Sequence, residues 1–596
     1  MNNNMVDKPT IILGISAFYH DSAAALIVDG VVVAAVQEER FSRLKHDDSF
    51  PSMSIQWIIE HARIDIRDIN YVVFYEKPFV RFERLLETYF AYAPVGFMSF
   101  RQSIPRWLKD KLFQKGNIIK KLKSISDDVD WGDKLLFSDH HLSHSASAFY
   151  PSPFKESAIL TVDGVGEWAT TSVSVGKDNN IELLEELHFP HSIGLLYSTV
   201  TSFLGFKVNS GEYKVMGLAP YGKPVYAEKI LNELLDLKDD GSFRLNMSYF
   251  SFATDVNMAA DKMAGFFGIC PRLPEAEITQ IHKDIAASLQ LATQEVLLKL
   301  CTHISKKTGL KNLCLAGGVA LNCVANEKIR QANIFESIWI QPAAGDAGGA
   351  VGAALAVYYL YLNQPRIVKD TYCTNLGPEY LAREIEDELV KCRADYKFVE
   401  TAELLALVAG LLSEGKVVGW MQGRAEFGPR ALGNRSILAD PRVKDLQSSL
   451  NLKIKFRESF RPFAPSVLDE KTNDWFDNKS PSTYMGFVAQ VHDSVKQQIP
   501  AVIHLDGTAR LQTVTAEDNP LYHQLLNQFY ELTGCPLLVN TSFNVRGEPM
   551  VLTPKHAFDC FMGTDIDVLV IGNFILFKEQ QLAISRKEYA HQFAPD

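Results

Sequence analysis

The chain has 596 residues, 47% of them apolar and 22% charged. That length calls for about three or four folding units, and that composition excludes disordered and fibrous classes. A formal charge of −11 argues against a broad nucleic-acid-binding surface and is compatible with a cationic small substrate. The eight cysteines include no CxxC pair, so neither a disulfide framework nor a structural zinc module is indicated, and a reducing cytoplasm is expected. The N-terminus lacks a basic segment followed by an apolar run. No stretch reaches the roughly 18 apolar residues of a membrane span, so no membrane partner is expected.

In chain order, the first 45 residues read as strand, loop and hairpin: "TIILGIS", "AFYHDS", then "AAALIVDGVVVAAVQEER" with Asp29-Gly30 at its turn. Asp-Gly between apolar runs is a strong hairpin signal. The plan returns at residue 157 with "SAILTVDG", "VGEWATTSVSV", the turn "GKDNN" and "IELLEEL". Two copies of one unit predict a duplicated α/β domain with a cleft between its halves, and ligands of such sheets sit at strand ends. Between the copies, residues 77–123 are basic and aromatic; they read as a solvated amphipathic helical insertion, with a substrate cap or a nucleic-acid contact as alternatives.

"DHHLSHSASAFY" follows from Asp139. On a helix, His140 and His144 share a face while His141 is rotated about 100° away. The pair has metal-ligand spacing, although surface or capped histidines would show the same pattern. Asp163, ending "AILTVD", and Asp346, opening a helix after "SIWIQPAAG", are candidate further ligands; a turn residue and a helix cap are the plain alternatives. Helical periodicity dominates 276–307. In "LAGGVALNCVANEKI", Gly317 and Gly318 stand between strand and helix, offering amide donors to a phosphate or ribose, or merely close packing. Asn322 and Gly345 join them as candidate cofactor-binding residues.

A domain boundary is placed near 365–375, dividing the chain into 1–368 and 369–596. The second part carries Arg424, Arg430 and Arg435 in "GRAEFGPRALGNRS", and Lys453, Lys455, Arg457 and Arg461 in "KIKFRESFRPFAPS". Asn540, Ser542, Asn544 and Arg546 follow in "VNTSFNVRGEP". Cations alternating with Phe, Gly and Pro point to ordered loops that bind anions, with small phosphorylated metabolites as ligands.

Ten motifs, from "ISAFYHDSAAAL" and "EERFSRLKHD" through "GEYKVMGLAPYG" and "GDAGGAVGAA" to "FRPFAPSV" and "NTSFNVRGEP", occur in an order that resembles the NodU/CmcH-type carbamoyltransferase family. The resemblance implies an α/β protein: an N-terminal duplicated ASKHA-type, TsaD-like domain and a C-terminal YrdC-like domain. It implies a metal site of His140, His144, Asp163 and Asp346 holding Fe(II), with His141 in support, although two histidines and two aspartates would accept other divalent ions. Lys455, Arg457, Ser542 and Asn544 match the KxR and SxN signature, and Arg430 and Arg461 match residues that handle carbamoyl phosphate and ATP, with Mg2+ as an optional further ion. The implied reaction forms a carbamoyl adenylate and transfers its carbamoyl group to a hydroxyl of a small-molecule acceptor, cationic acceptors included. His20 is the candidate base for that hydroxyl, or else a hydrogen-bonded structural residue. "EERFSRLKHD" and "GEYKVMGLAPYG" are expected to border the acceptor pocket. Two rival functions are a tRNA threonylcarbamoyl enzyme and a catalytically silent nucleotide-binding regulator; no nucleic-acid partner is expected, and the oligomeric state is left open, a homodimer included.

Overall fold

At the hairpin expected from Asp29-Gly30, both residues take positive φ, 48° and 80°, and Val28 pairs with Val31 across a two-residue turn. That backbone matches the right-handed twist of the flanking strands, and glycine reaches it without a Cβ clash. The computed structural model describes residues 8–107, 113–255, 258, 260–478, 480–582, 589 and 592–593.

Strands β1 (Ile11–Ser16), β2 (Ala23–Val28) and β3 (Val31–Gln37) form an antiparallel meander. To its free edge β4 (Tyr71–Phe74) and β5 (Leu135–Phe137) add in parallel, giving the order 3-2-1-4-5. The second half repeats the plan. A meander of β6 (Glu156–Val162), β7 (Ala169–Lys177) and β8 (Asn180–His188) is extended in parallel by β9 (Asn312–Ala316) and β10 (Ser337–Ile340), in the order 8-7-6-9-10. This is the duplicated α/β arrangement expected from the two sequence copies.

Two helices fill the space between the sheets. Asp346–Ala356 lies on β1 and β2, His140–Phe149 lies on β6 and β9, and the helices pack on each other. Small residues permit this approach: a Cβ at Gly352 would stand 1.7 Å from the Ser143 carbonyl oxygen, and one at Gly14 would stand 1.9 Å from that of Ala350. The run "DAGGAVGAALA" therefore brings the start of one helix, with Asp346, against the histidine face of the other.

The C-terminal part is an α/β unit on a ten-stranded mixed sheet. Val418–Met421, Arg435–Ala439, Leu537–Ser542 and Ala464–Leu468 are neighbours in its middle. Among the described residues no helix is long and apolar enough to cross a membrane.

The insertion forms helices Pro78–Tyr92, Phe97–Trp107 and Gln114–Ile125; residues 108–112, within the predicted stretch, lie outside the described residues. A solvated face describes Gln114–Ile125, which buries Ile118 and Leu122 and exposes its lysines. It fails for Pro78–Tyr92, where Arg81 and Arg84 are buried. Arg81 pairs with Glu76 at 2.5 Å, and Arg84 donates to the Gly166 carbonyl at 2.7 Å, so these cations face the protein.

Candidate active site

One turn of helix separates His140 from His144, and their Nε2 atoms converge to 3.2 Å. His140 Nε2 lies 3.2 Å from Asp163 Oδ2, and Asp346 Oδ1 lies 3.8 and 3.6 Å from the Nε2 atoms of His140 and His144. All four donor atoms fall within 4.8 Å of one another. Each carboxylate is fixed by its second oxygen: Asp163 Oδ1 accepts the Gly318 N–H at 2.9 Å, and Asp346 Oδ2 accepts the Tyr75 hydroxyl at 3.2 Å. His141 turns away, its Nδ1 2.9 Å from Ser172 Oγ.

These residues fit a divalent cation. Two imidazole nitrogens and two carboxylate oxygens converging on one point are a donor set that a divalent metal ion takes, with the carboxylates supplying the charge to balance it. Against burial, which raises it, the hydrogen bond from His140 and the charge of His144 hold Asp163 well below the usual carboxylate range.

His20 stands at the edge of this cluster, its Nε2 3.7 Å from Asp346 Oδ2 and its Nδ1 3.0 Å from Asp21 Oδ2. Asp21 Oδ1 lies 2.8 Å from His46 Nδ1. Burial disfavours charge on His20, but Asp346 and Asp21 outweigh it and raise the ring to about 10. Asp21 and Tyr75 had no place in the sequence-derived site, and His46 entered it only within the segment expected to border the pocket; the adjacent His-Asp pair in "FYHDS" was the one signal available for Asp21.

The second cluster belongs to the C-terminal sheet. Lys455 Nζ is surrounded by the Ser542 carbonyl at 2.6 Å, Asn544 Oδ1 at 2.7 Å, the Asn544 carbonyl at 2.8 Å and Ser542 Oγ at 3.3 Å. Burial, with the charge of Arg457 added, pushes this lysine well below its ordinary range. The three shortest of these four contacts nevertheless require three N–H groups, which only the ammonium has. Arg457 donates to Asn451 Oδ1 at 2.6 Å, and the Arg461 guanidinium lies 4.7 Å from the Tyr213 ring centroid. Burial and then Arg510 lower Arg430 to about 9. Arg510, which the sequence did not single out, stands alone in "GTARLQT", with no motif around it.

Two of the arginines read as anion ligands have other work. Arg435 is fully buried and donates to the carbonyls of Gln422, Gly423 and Pro378, and Arg424 donates to those of Leu376, Gly377 and Val33. Their donors saturate backbone oxygens where the chain enters the C-terminal unit. Arg546 is paired with Glu275 at 2.6 Å. Gly317 does not line the cavity; at φ 87° its Cβ would meet the Val162 carbonyl oxygen at 2.2 Å, so packing sets that glycine.

A single cavity of about 510 Å³ joins the two clusters. His20, Asp163 and Asp346 line it, as do Lys455, Arg457, Arg461, Arg430, Ser542 and Asn544 from the other cluster, together with Gly318, Asn322 and Gly345. Asn322 also caps its helix, accepting the Ala325 N–H at 3.1 Å. The expected border segments contribute Glu39, Arg40 and His46 from one and Glu212, Tyr213 and Tyr221 from the other.

The family profile described as "Carbamoyltransferase N-terminus" matches residues 11–355, and the one described as "Carbamoyltransferase C-terminus" matches residues 409–578. The uncharacterized protein sll1178 of Synechocystis sp. is 54% identical over 96% of this chain and 97% of its own length. The nodulation protein NolNO of Sinorhizobium fredii is 38% identical over 99% of this chain and 84% of its own. Among solved structures, component A of the (R)-2-hydroxyglutaryl-CoA dehydratase of Acidaminococcus fermentans aligns with a TM-score of 0.30 at 15% identity, covering 59% of this chain and 98% of its own. HypF of T. kodakarensis aligns with a TM-score of 0.31 at 16% identity, covering 60% and 50%.

Proposed function

The chain belongs to the carbamoyltransferase family, and from that premise we propose that it is an O-carbamoyltransferase that activates and transfers the carbamoyl group at opposite ends of one cavity. The observation that supports this reading is the continuity of that cavity between the Lys455 and His20 ends. In the first step, water cleaves carbamoyl phosphate to carbamate and phosphate. A carbamate oxygen then attacks the α-phosphorus of ATP and expels pyrophosphate, leaving carbamoyl adenylate. Lys455, Arg457, Arg461 and Arg430 stabilise the phosphoryl charge that moves in this step, with preorganised cations doing what water would do less well. Lys455 is held at Ser542 and Asn544 before any ligand arrives.

In the second step the acceptor hydroxyl oxygen attacks the carbamoyl carbon, the bond from that carbon to the adenylate oxygen breaks, and AMP leaves. His20 Nε2 takes the hydroxyl proton, with Asp21 on Nδ1 fixing the ring. A divalent cation, Fe(II) in this reading, held by His140, His144, Asp163 and Asp346 would supply a Lewis acid for the carbamoyl carbonyl and offset the carboxylates that keep His20 protonated. A cavity of about 510 Å³ suits a small-molecule acceptor rather than a folded nucleic acid.

The test is pyrophosphate release from the metal-loaded protein given ATP and carbamoyl phosphate, beside transfer to a panel of alcohols. Release dependent on carbamoyl phosphate in the wild type, lost in Lys455→Ala and kept in His20→Asn, supports the division. Equal loss in both variants contradicts it.

A further inference from the structure

The loop ahead of strand Thr508–Val514 puts on the cavity wall a histidine that the proposed chemistry does not use. His504 lines the cavity, and its Nε2 is buried without a hydrogen-bond partner among the described residues. Its Nδ1 lies 3.0 Å from Thr508 Oγ1, and the Thr508 hydroxyl donates to Asp506 Oδ1 at 2.7 Å. A carboxylate only accepts, so it takes the single hydroxyl proton and leaves Thr508 Oγ1 to accept from the ring. Asp506 and Thr508 therefore fix the ring proton on Nδ1 and leave Nε2 a bare acceptor. Burial lowers the ring to about 4 against the pull of Asp506, with the Arg510 charge adding to it, so the imidazole is neutral where the protein works.

Closing the loop does not need that ring. The backbone ties it: the His504 N–H donates to the Thr508 carbonyl at 2.7 Å, and the Gly507 N–H to the His504 carbonyl at 2.9 Å, with Gly507 at φ 81°. A buried acceptor left bare is a stability cost that a bound donor removes. Its neighbours say which donor. Thr508 and Arg510 stand two residues apart on one strand and share a face. Arg510 lines the cavity, spending its Nε on Cys323 Sγ at 3.1 Å. Its charge acts, behind burial, on both Arg430 and His504, so the three side chains are neighbours. Two guanidiniums suit a phosphate, and the ligand they hold must bring an N–H or O–H close to that phosphate. In ATP those groups lie on ribose and adenine, separated from the phosphates by ribose carbons. In carbamoyl phosphate the NH2 sits on the carbon that carries the phosphate oxygen. We propose that His504 is a specificity residue whose Nε2 accepts an N–H of carbamoyl phosphate and so separates it from acyl phosphates that lack one. This rests on the reading of carbamoyl phosphate as substrate.

Calorimetric titration of the full chain with carbamoyl phosphate and with acetyl phosphate, in which a methyl group replaces the NH2, tests the assignment. The wild type should bind carbamoyl phosphate at least roughly tenfold tighter. His504→Leu should bring the two dissociation constants within about twofold of each other by weakening carbamoyl phosphate alone. His504→Gln, whose amide oxygen accepts, should restore part of the preference. Thr508→Val keeps the ring but frees its proton, and should lower the preference about threefold. A wild type that binds the two alike overturns the proposal. So does equal weakening of both ligands in His504→Leu, or an unchanged preference there or, should that variant not fold, in Thr508→Val. Pyrophosphate release is read separately: a preference for carbamoyl phosphate without release from ATP breaks the proposed function and leaves the His504 assignment standing.

Discussion

The two ends of the cavity are built on opposite principles. At Lys455 one ammonium is enclosed by acceptors from Ser542 and Asn544, so protein groups alone satisfy it. At His140 and His144 two ring nitrogens face each other beside two carboxylates, and both Nδ1 atoms are buried without a partner among the described residues. The first end is complete as folded; the second gathers a donor set that fits a divalent cation. In the proposed reading the chamber separates a preassembled phosphate-handling end from a metal-dependent end, and on that reading variants should separate the two chemistries.

The largest effect is expected at the preassembled end. Lys455→Ala should lower carbamoyl-phosphate-dependent pyrophosphate release by roughly 100- to 1,000-fold, the scale of losing one preorganised charge stabiliser. It should also cost about 1–3 kcal/mol of stability for the buried carbonyls left unpaired, measured by denaturant unfolding. At the other end, Asp346→Asn should lower carbamoyl transfer by about 100-fold and reduce bound metal, while pyrophosphate release stays near wild type. A release rate that falls with transfer would break the comparison.

A smaller effect should come from the strap between the halves. Arg43 donates to Glu548 at 2.8 Å and to the carbonyls of Pro549 and Met550 at 2.7 and 2.8 Å. Glu548 in turn accepts the Val545 N–H at 2.9 Å and, through its carbonyl, the Asn544 side-chain N–H at 2.7 Å. Arg43→Ala should therefore loosen Asn544 and raise the KM for carbamoyl phosphate roughly tenfold, on the scale of one charge-assisted hydrogen bond, with partial rescue by Arg43→Lys. The smallest effect concerns pH. Lys455 is lowered from its ordinary range, so its charge is present below the lowered value and lost as pH rises through it, before an ordinary lysine near 10.5 would titrate. The KM for carbamoyl phosphate should rise a few-fold as the pH passes upward through that lowered value in the wild type. Lys455→Arg, if active, should abolish the rise, because arginine stays charged there.

Much of this was legible in the sequence because it is local. The hairpin at Asp29-Gly30 and its repeat after residue 157 announce the duplication, and one helical turn puts His140 and His144 on one face. Asp163 and Asp346 stood out by their strand-end and helix-start positions, although nothing in those positions distinguished a ligand from a turn residue or a cap. Direction within a loop was not legible. Arg424, Arg430 and Arg435 share one glycine-rich segment, yet only Arg430 faces the cavity, because the carbonyls of residues 376–378 and 422–423 capture the other two. Tyr75 and Arg510 were missed because each is brought in by a separate strand with no motif around it. The solvated reading of Arg81 and Arg84 failed for the same reason, since Glu76 and Gly166 meet them only in the folded chain.

The most direct measurement compares the metal-stripped and metal-loaded protein in one assay that follows pyrophosphate release and carbamoyl transfer together. Retained carbamoyl-phosphate-dependent release with lost transfer, restored when the divalent ion is added back, is the predicted result. Equal loss of both activities on stripping would contradict the division of the cavity into a preassembled end and a metal-dependent end.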